Sequence, residues 1–149
     1  MLEGIGILTI TGTLGTVVVG ATTPLDCYVG LGAGVGDGAS IEQPVGSLGC
    51  EYDINGNIRI FAEHLSSPST GGDHPGMNHA GVKVLFPVDP VTLYAGVSYE
   101  FGSHLVDMDS PLAIAGVETN GNIRLYAEHV NSIVDPGEGF THGGIKFIF

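Results

Sequence analysis

The side chains that could do chemistry in this 149-residue chain are six histidines and 16 carboxylates, set against four lysines and arginines. The sequence has no zinc-type spacing, phosphate-binding loop or dinucleotide fingerprint, and its scattered Gly-x-Gly pairs are typical of strand glycines. Oxygen-rich loops are the kind of site that takes hard divalent cations. The loop residues that could bind such a cation weakly are His74, His104, Asp73, Asp107, Asp109, Asp135 and Glu138. Solvated surface carboxylates are the simpler interpretation, so we predict no metal and no cofactor.

The charge balance excludes one class of function. The formal net charge is −12 and only 13 % of residues are charged, where about 25 % is typical of soluble domains. So few basic residues leave no surface for phosphates, which excludes nucleic acid as a partner. A hydrophobic fraction of 43 % argues against disorder. The chain is apolar where it is not acidic, and its length predicts one domain.

An internal repeat contains all four basic residues. The segment GNIRIFAEH at 56–64 recurs as GNIRLYAEH at 121–129, and HAGVKVLF at 79–86 recurs as HGGIKFIF at 142–149. This similarity predicts two copies of a unit of roughly 60 residues. The two units span about 25–86 and 91–149.

Each unit alternates apolar and polar residues with a period of two, which predicts four β-strands. The strand length of about 9–11 residues matches a tilted strand that crosses a bilayer. Asn55-Gly56 and Asn120-Gly121 predict tight hairpins, and the other ends of the strands have longer acidic loops. The expected fold class is all-β, an eight-stranded antiparallel up-and-down transmembrane β-barrel built from two duplicated four-stranded units. The predicted strands are about 26–35, 44–52, 57–65, 78–86, 91–101, 111–119, 122–130 and 141–149.

The two faces of these strands differ in polarity. One face is continuously apolar, and the other mixes charge, tyrosine and glycine. The lumen of an eight-stranded barrel is just wide enough for side chains to fill it, and buried charges must be paired. The repetition of the charged positions therefore favours a closed lumen network over salt bridges on the outside of a water-soluble barrel. The residues assigned to this network are Arg59, Glu63, Lys83, Glu100, Arg124, Glu128 and Lys146.

The N-terminal segment and the two cysteines bear on the cellular compartment. Residues 5–21 form an apolar run like the core of a secretory signal peptide, although no lysine or arginine precedes it. We therefore expect a signal peptide or another N-terminal segment at 1–21, followed by the barrel at 22–149. Cys27 and Cys50 could pair in an oxidising compartment, but strand alternation predicts opposite faces for them, which opposes a disulfide.

The last eight residues, His142 to Phe149, resemble the assembly signal of bacterial outer-membrane barrels. Gly144, Phe147 and the terminal Phe149 occupy its glycine, hydrophobic and aromatic positions. This resemblance to small eight-stranded outer-membrane proteins implies the outer membrane of a Gram-negative-type cell, with short turns in the periplasm and acidic loops outside. The implied partners are outer-membrane lipid, the barrel-assembly machinery and an unknown surface partner. A virus-encoded barrel of a host envelope or virion is a further hypothesis.

A partial resemblance links the chain to the lipid A 3-O-deacylase family of eight-stranded barrels. His64-Leu65-Ser66 resembles the His-x-Ser element of that family, which implies serine ester hydrolysis with His64 as the base and Ser66 as the nucleophile. In the second copy, at 129–132, the serine is displaced to the opposite face. The following strands offer Asn78 and Gly143 where a glutamate is expected. The sequence therefore favours a structural or surface-interaction protein, with the esterase as the alternative and an interfacial role for the histidines.

Overall fold

The structure, a computed structural model, describes most of the barrel and leaves the N-terminal segment and three loops outside. The described residues are 25–35, 44–66, 76–101, 110–137 and 139–149. The signal peptide or N-terminal segment that we expect at 1–21 therefore lies outside the described residues. The same is true of most of the loop residues that we considered as cation ligands.

Eight antiparallel strands form one closed barrel in which every strand pairs with its neighbours in sequence and β1 pairs with β8. This confirms the predicted all-β, up-and-down antiparallel barrel. The described segments contain no helix with the length and apolar character needed to cross a bilayer. The strands are β1 (Leu25–Val35), β2 (Val45–Asp53), β3 (Ile58–Ser66), β4 (Gly76–Val88), β5 (Val91–Glu100), β6 (Leu112–Thr119), β7 (Ile123–Ser132) and β8 (Gly139–Ile148).

The short connections lie at one end of the barrel, which we call the turn end; the opposite end is the loop end. In the β2–β3 turn, the Asn55 side-chain oxygen accepts hydrogen bonds from the backbone N–H groups of Asn57 and Ile58, both at 3.1 Å. Gly56 and Gly121 have φ angles of 77° and 107°, in the left-handed region that favours glycine. The predicted Asn-Gly hairpins therefore form where the sequence indicates them.

The strands alternate between the lumen and the exterior with the period that the sequence predicts. Along β7, for example, Leu125 is 56 % exposed whereas its neighbour Arg124 is 9 % exposed. Large apolar side chains cover the exterior, and charged and aromatic side chains fill the lumen. Exterior apolar residues include Val29, Leu31, Leu48, Ile60, Val82, Val84, Leu93, Val97, Ile123, Leu125, Ile145 and Phe147.

The prediction that Cys27 and Cys50 lie on opposite faces is wrong. They are direct partners in the β1–β2 register, so both point to the exterior, and they form a disulfide. The reason is that β2 has no clear apolar face of its own, and only its pairing with β1 fixes which of its residues point outwards. The backbone of Cys27 also exchanges two hydrogen bonds with that of Phe149, at 3.2 and 2.9 Å, where β1 and β8 close the barrel.

Candidate functional site

The lumen has the same order of side chains along matching strands of the two repeat units. From the turn end, β3 contributes an arginine, an aromatic ring, a glutamate and an apolar residue, and β7 does the same. In β3 these are Arg59, Phe61, Glu63 and Leu65; in β7 they are Arg124, Tyr126, Glu128 and Val130. The lumen is therefore layered, with arginines at the turn end, lysine and glutamate in the middle and apolar side chains at the loop end.

The arginine layer closes the turn end with four ion pairs. Arg59 lies 3.1 Å from Glu51 and 2.7 Å from Glu118. Arg124 contacts the same two carboxylates, Glu118 at 3.2 Å and Glu51 through a short hydrogen bond. Because each arginine bridges both glutamates, the four side chains form one ring of alternating charge.

Two half-exposed aspartates extend this ring towards the rim. Asp53 accepts hydrogen bonds from Arg59 at 2.6 and 3.2 Å, and Asp26 lies 3.3 Å from Arg124. The sequence-based network omitted both aspartates and both glutamates of this layer. Strand alternation could have assigned these residues of β1, β2 and β6 to the lumen. They were missed because they lie outside the repeated segments.

The middle layer contains two buried lysine–glutamate pairs. Lys83 on β4 donates to Glu128 on β7 at 2.7 Å. Lys146 on β8 lies 3.5 Å from Glu63 on β3. Each pair joins one repeat unit to the other, whereas the arginine layer also contains pairs within a unit, such as Arg59 with Glu51.

Each lysine ammonium also lies over two aromatic rings. The distances from Nζ to the ring centroids are 4.3–4.5 Å, within the range of cation–π attraction. Together with the ion pair to glutamate, these rings compensate each buried ammonium group for the hydration that it loses. They are Phe61 and Tyr94 for Lys83, and Tyr28 and Tyr126 for Lys146.

Two fully buried histidines complete the middle layer. His79 Nε2 lies 3.4 Å from Glu63, and His142 Nε2 lies 3.3 Å from Glu128. On the other side of its ring, His79 Nδ1 contacts the Ser98 hydroxyl at 3.1 Å. The sequence-based network omitted these histidines too, although both occur at lumen-facing positions of the repeated segments.

Glu63, His79 and Glu128 could offer ligand atoms to a metal, since one atom from each lies within 4.8 Å of the others. The two carboxylates, however, are already neutralised by Lys83 and Lys146. A divalent cation would add two positive charges to a buried, balanced cluster. The arrangement therefore suits a structural ion-pair core better than a metal centre.

Glycines in the wall make room for the lumen tyrosines. A Cβ atom on Gly49 would lie 2.6 Å from the Tyr28 hydroxyl, and one on Gly116 would overlap the Tyr94 ring. Both glycines lie directly opposite their tyrosines in the strand register. Because these two glycines have no side chain, the narrow lumen has room for the two large rings.

An apolar layer fills the loop end of the lumen. Its side chains are at most 2 % exposed, and they separate the charged layers from that end. With the arginine ring at the turn end, they make the described part of the lumen a packed interior. The apolar residues of this layer are Val45, Leu65, Met77, Leu112, Val130 and Phe140.

The other sequence-predicted residues are placed as follows. Glu100 is half-buried opposite His79 at the end of β5, and its backbone N–H donates to Ser110. In β8, Gly144 lies opposite Gly32 of β1. The remaining assembly-signal residues, Phe147 and Phe149, are about half exposed on the exterior.

The residues proposed for ester hydrolysis lie on the exterior near the loop end. His64 Nδ1 is 2.8 Å from the Asn78 side-chain oxygen, and Ser66, half-buried, ends β3. In the second unit, His129 Nδ1 is 2.9 Å from the Thr141 hydroxyl. Both histidines are thus held by the residue directly opposite on the next strand.

Comparison with known proteins finds no family model and no curated protein that matches this chain. The solved structures that share its fold include two designed barrels. One, from the de novo design of transmembrane β-barrels, has a TM-score of 0.53 and 17 % identity and covers 86 % of this chain and 98 % of that chain. The other, the de novo designed TMB2.3 solved by solution NMR, has a TM-score of 0.53 and 19 % identity and covers 83 % and 92 %. At this identity the likeness is one of fold, a small eight-stranded barrel that resembles transmembrane β-barrels.

Proposed function

We propose that this protein is a membrane-embedded barrel that acts as a non-conducting structural or surface-interaction protein. The observation that carries the proposal is the inverted polarity of the barrel wall. Charged residues such as Lys146 and Glu128 are at most 2 % exposed, whereas Leu31 and Leu125 are more than half exposed on the exterior. In water such a surface would be a large aggregation-prone patch; in a bilayer it is the required one.

The packed lumen supports the non-conducting part of the proposal. Ion pairs and apolar side chains fill the described interior from end to end, and an eight-stranded barrel is narrow enough for side chains to fill it. Function therefore falls to the outer surfaces, and the acidic loops at the loop end are the surfaces we assign to an unknown partner.

We place the protein in the outer membrane of a Gram-negative-type cell. The segment 142–149, which resembles an assembly signal, supports this, because its Phe149 is paired with β1 where the barrel closes. The Cys27–Cys50 disulfide is typical of proteins in oxidising compartments such as the periplasm. A barrel encoded by a virus and displayed in a host envelope or virion would need the same apolar exterior and packed lumen.

The test is to refold the full chain in detergent and in its absence. We expect a monodisperse protein only with detergent, a faster-migrating band on gels before boiling than after it, and no stepwise current in planar bilayers. A chain that is monodisperse and folded without detergent would overturn the membrane proposal. Stepwise currents from the folded chain would overturn only the non-conducting role.

The second candidate is a lipid esterase at His64 and Ser66, with a membrane lipid ester as substrate. The hydrogen bond from His64 Nδ1–H to the Asn78 side-chain oxygen at 2.8 Å favours it, because an amide can orient the histidine of a nucleophile–base pair. The test is lipopolysaccharide deacylation by the wild type and by His64→Ala and Ser66→Ala, with His129→Ala as the matched control. Loss in the first two variants alone would establish the esterase, and no activity in the wild type would exclude it.

A further inference from the structure

Two small polar patches interrupt the apolar exterior near the loop end. The first patch is His64 on β3 with Asn78 on β4, and the second is His129 on β7 with Thr141 on β8. The two strand pairs are four strands apart in a closed barrel of eight. The patches therefore lie on opposite sides of the barrel.

The hydrogen bond in each patch fixes the orientation of the imidazole. It uses Nδ1 in both cases, at 2.8 Å in the first patch and 2.9 Å in the second. Nε2 is the other ring nitrogen, and both histidines are exposed on the exterior. In the protonated ring both nitrogens are donors, and a fixed N–H donor with positive charge is suited to a phosphate oxygen.

The next exterior pair towards the turn end from each patch consists of small residues. Ala62 pairs with Ala80 below the first patch, and Ala127 pairs with Gly143 below the second. Larger apolar residues follow towards the turn end. Each polar patch is therefore followed, towards the turn end, by small apolar residues that leave room for a lipid chain below its headgroup.

We propose that these two patches bind the phosphate-bearing headgroups of anionic membrane lipids, with an acyl chain lying over the small residues below. The proposal rests on the membrane location proposed above. It requires no bond to be broken, so it is independent of the esterase. The patches lie where the apolar exterior meets the loop end, which is where headgroups meet a barrel wall.

The test is native mass spectrometry of the detergent-purified full chain, titrated with phosphatidylglycerol or with phosphatidylcholine of the same acyl chains. We expect the wild type to retain two phosphatidylglycerol molecules and to bind phosphatidylcholine more weakly. His129→Gln should retain one. In His64→Gln/His129→Gln, the apparent Kd should rise about tenfold or more, the loss expected for a charge-assisted hydrogen bond.

Two further variants separate recognition by charge from an effect on the fold. His64→Lys/His129→Lys should retain phosphatidylglycerol, because lysine supplies a cation at both positions. Tyr99→Phe, which removes an exterior hydroxyl group on β5, should leave the retention of both lipids unchanged. Equal binding of both lipids by the wild type, or unchanged retention by the double glutamine variant, would overturn the inference.

The same samples distinguish this inference from the membrane proposal. A chain that shows the heat-dependent gel shift but no preference for phosphatidylglycerol contradicts the lipid sites alone. A chain that folds without detergent contradicts the membrane location, and the lipid sites with it.

Discussion

The lumen and the exterior of this barrel carry opposite kinds of side chain, and they contribute to the structure in different ways. In the lumen each charge has a particular partner, such as Lys83 for Glu128 at 2.7 Å, and the Tyr28 and Tyr94 rings lie opposite glycines. On the exterior, residues such as Leu125 need only be apolar. Specific side-chain pairing is therefore found inside the barrel, whereas the polarity of the exterior determines the solvent in which the barrel folds.

The largest effect should come from breaking one lumen pair. Glu128→Leu leaves Lys83 buried without its carboxylate, and we expect a loss of about 3–5 kcal/mol in the free energy of unfolding. Urea unfolding of the barrel in lipid vesicles, followed by circular dichroism, measures this loss. The double variant Lys83→Met/Glu128→Leu should recover most of it, since no unpaired charge remains. A single variant as stable as the wild type would show that the lumen is hydrated.

An arginine on the exterior tests the other side of the comparison. Leu125→Arg lies in the middle of the apolar face and should cost roughly 2–4 kcal/mol in a bilayer, against about 0–1 for Ile133→Arg near the loop end. Unfolding in vesicles measures both variants. If Leu125→Arg is neutral, the exterior faces water and the polarity argument fails.

The Cys27–Cys50 disulfide lies on the exterior, but it stabilises the barrel through a covalent link and not through the polarity of its side chains. Removing it with Cys27→Ser/Cys50→Ser should cost about 3 kcal/mol, because the unfolded chain regains the freedom of a loop of this size. Unfolding with and without a reducing agent measures the effect. The reducing agent should destabilise the wild type and leave the double serine variant unchanged.

The smallest effect should come from filling the space beneath a lumen tyrosine. Gly116→Ala places a methyl group against the Tyr94 ring, and such overpacking costs typically about 1–3 kcal/mol. Gly46→Ala is the matched control, because a Cβ there would make an ordinary contact at 3.6 Å with Ser66. Equal stability of the two variants would show that Tyr94 has room to move.

Much of the fold could be predicted from the sequence because it rests on local signals. Alternation gave every strand end to within two residues; β4 is two residues longer than predicted at both ends, and β3 extends one residue further, to Ser66. Asn-Gly pairs marked two of the hairpins. The repeated segments singled out Arg59, Glu63, Lys83, Arg124, Glu128 and Lys146, all of which the structure places in the lumen.

Other parts of the site could not be predicted because they depend on residues that the repeat does not mark. Glu51 and Glu118 complete the arginine ring, yet they lie in β2 and β6, which differ between the units. His79 and His142 do recur, and strand alternation places them on the same face as Lys83 and Lys146. What one strand does not show is that each histidine lies beside a glutamate of the neighbouring strand.

By itself, the sequence determined that this chain has two kinds of face and that its charged residues recur in two units. Both can be read from the order of residues along the chain. Only the tertiary structure decided which charges meet, since Lys83 and Glu128 are 45 residues apart and Arg124 and Glu51 are 73 apart. It also decided that Cys27 and Cys50 share a face. The physical reason is that these contacts depend on the register between strands and on the closure of β1 against β8, which alternation within one strand does not encode.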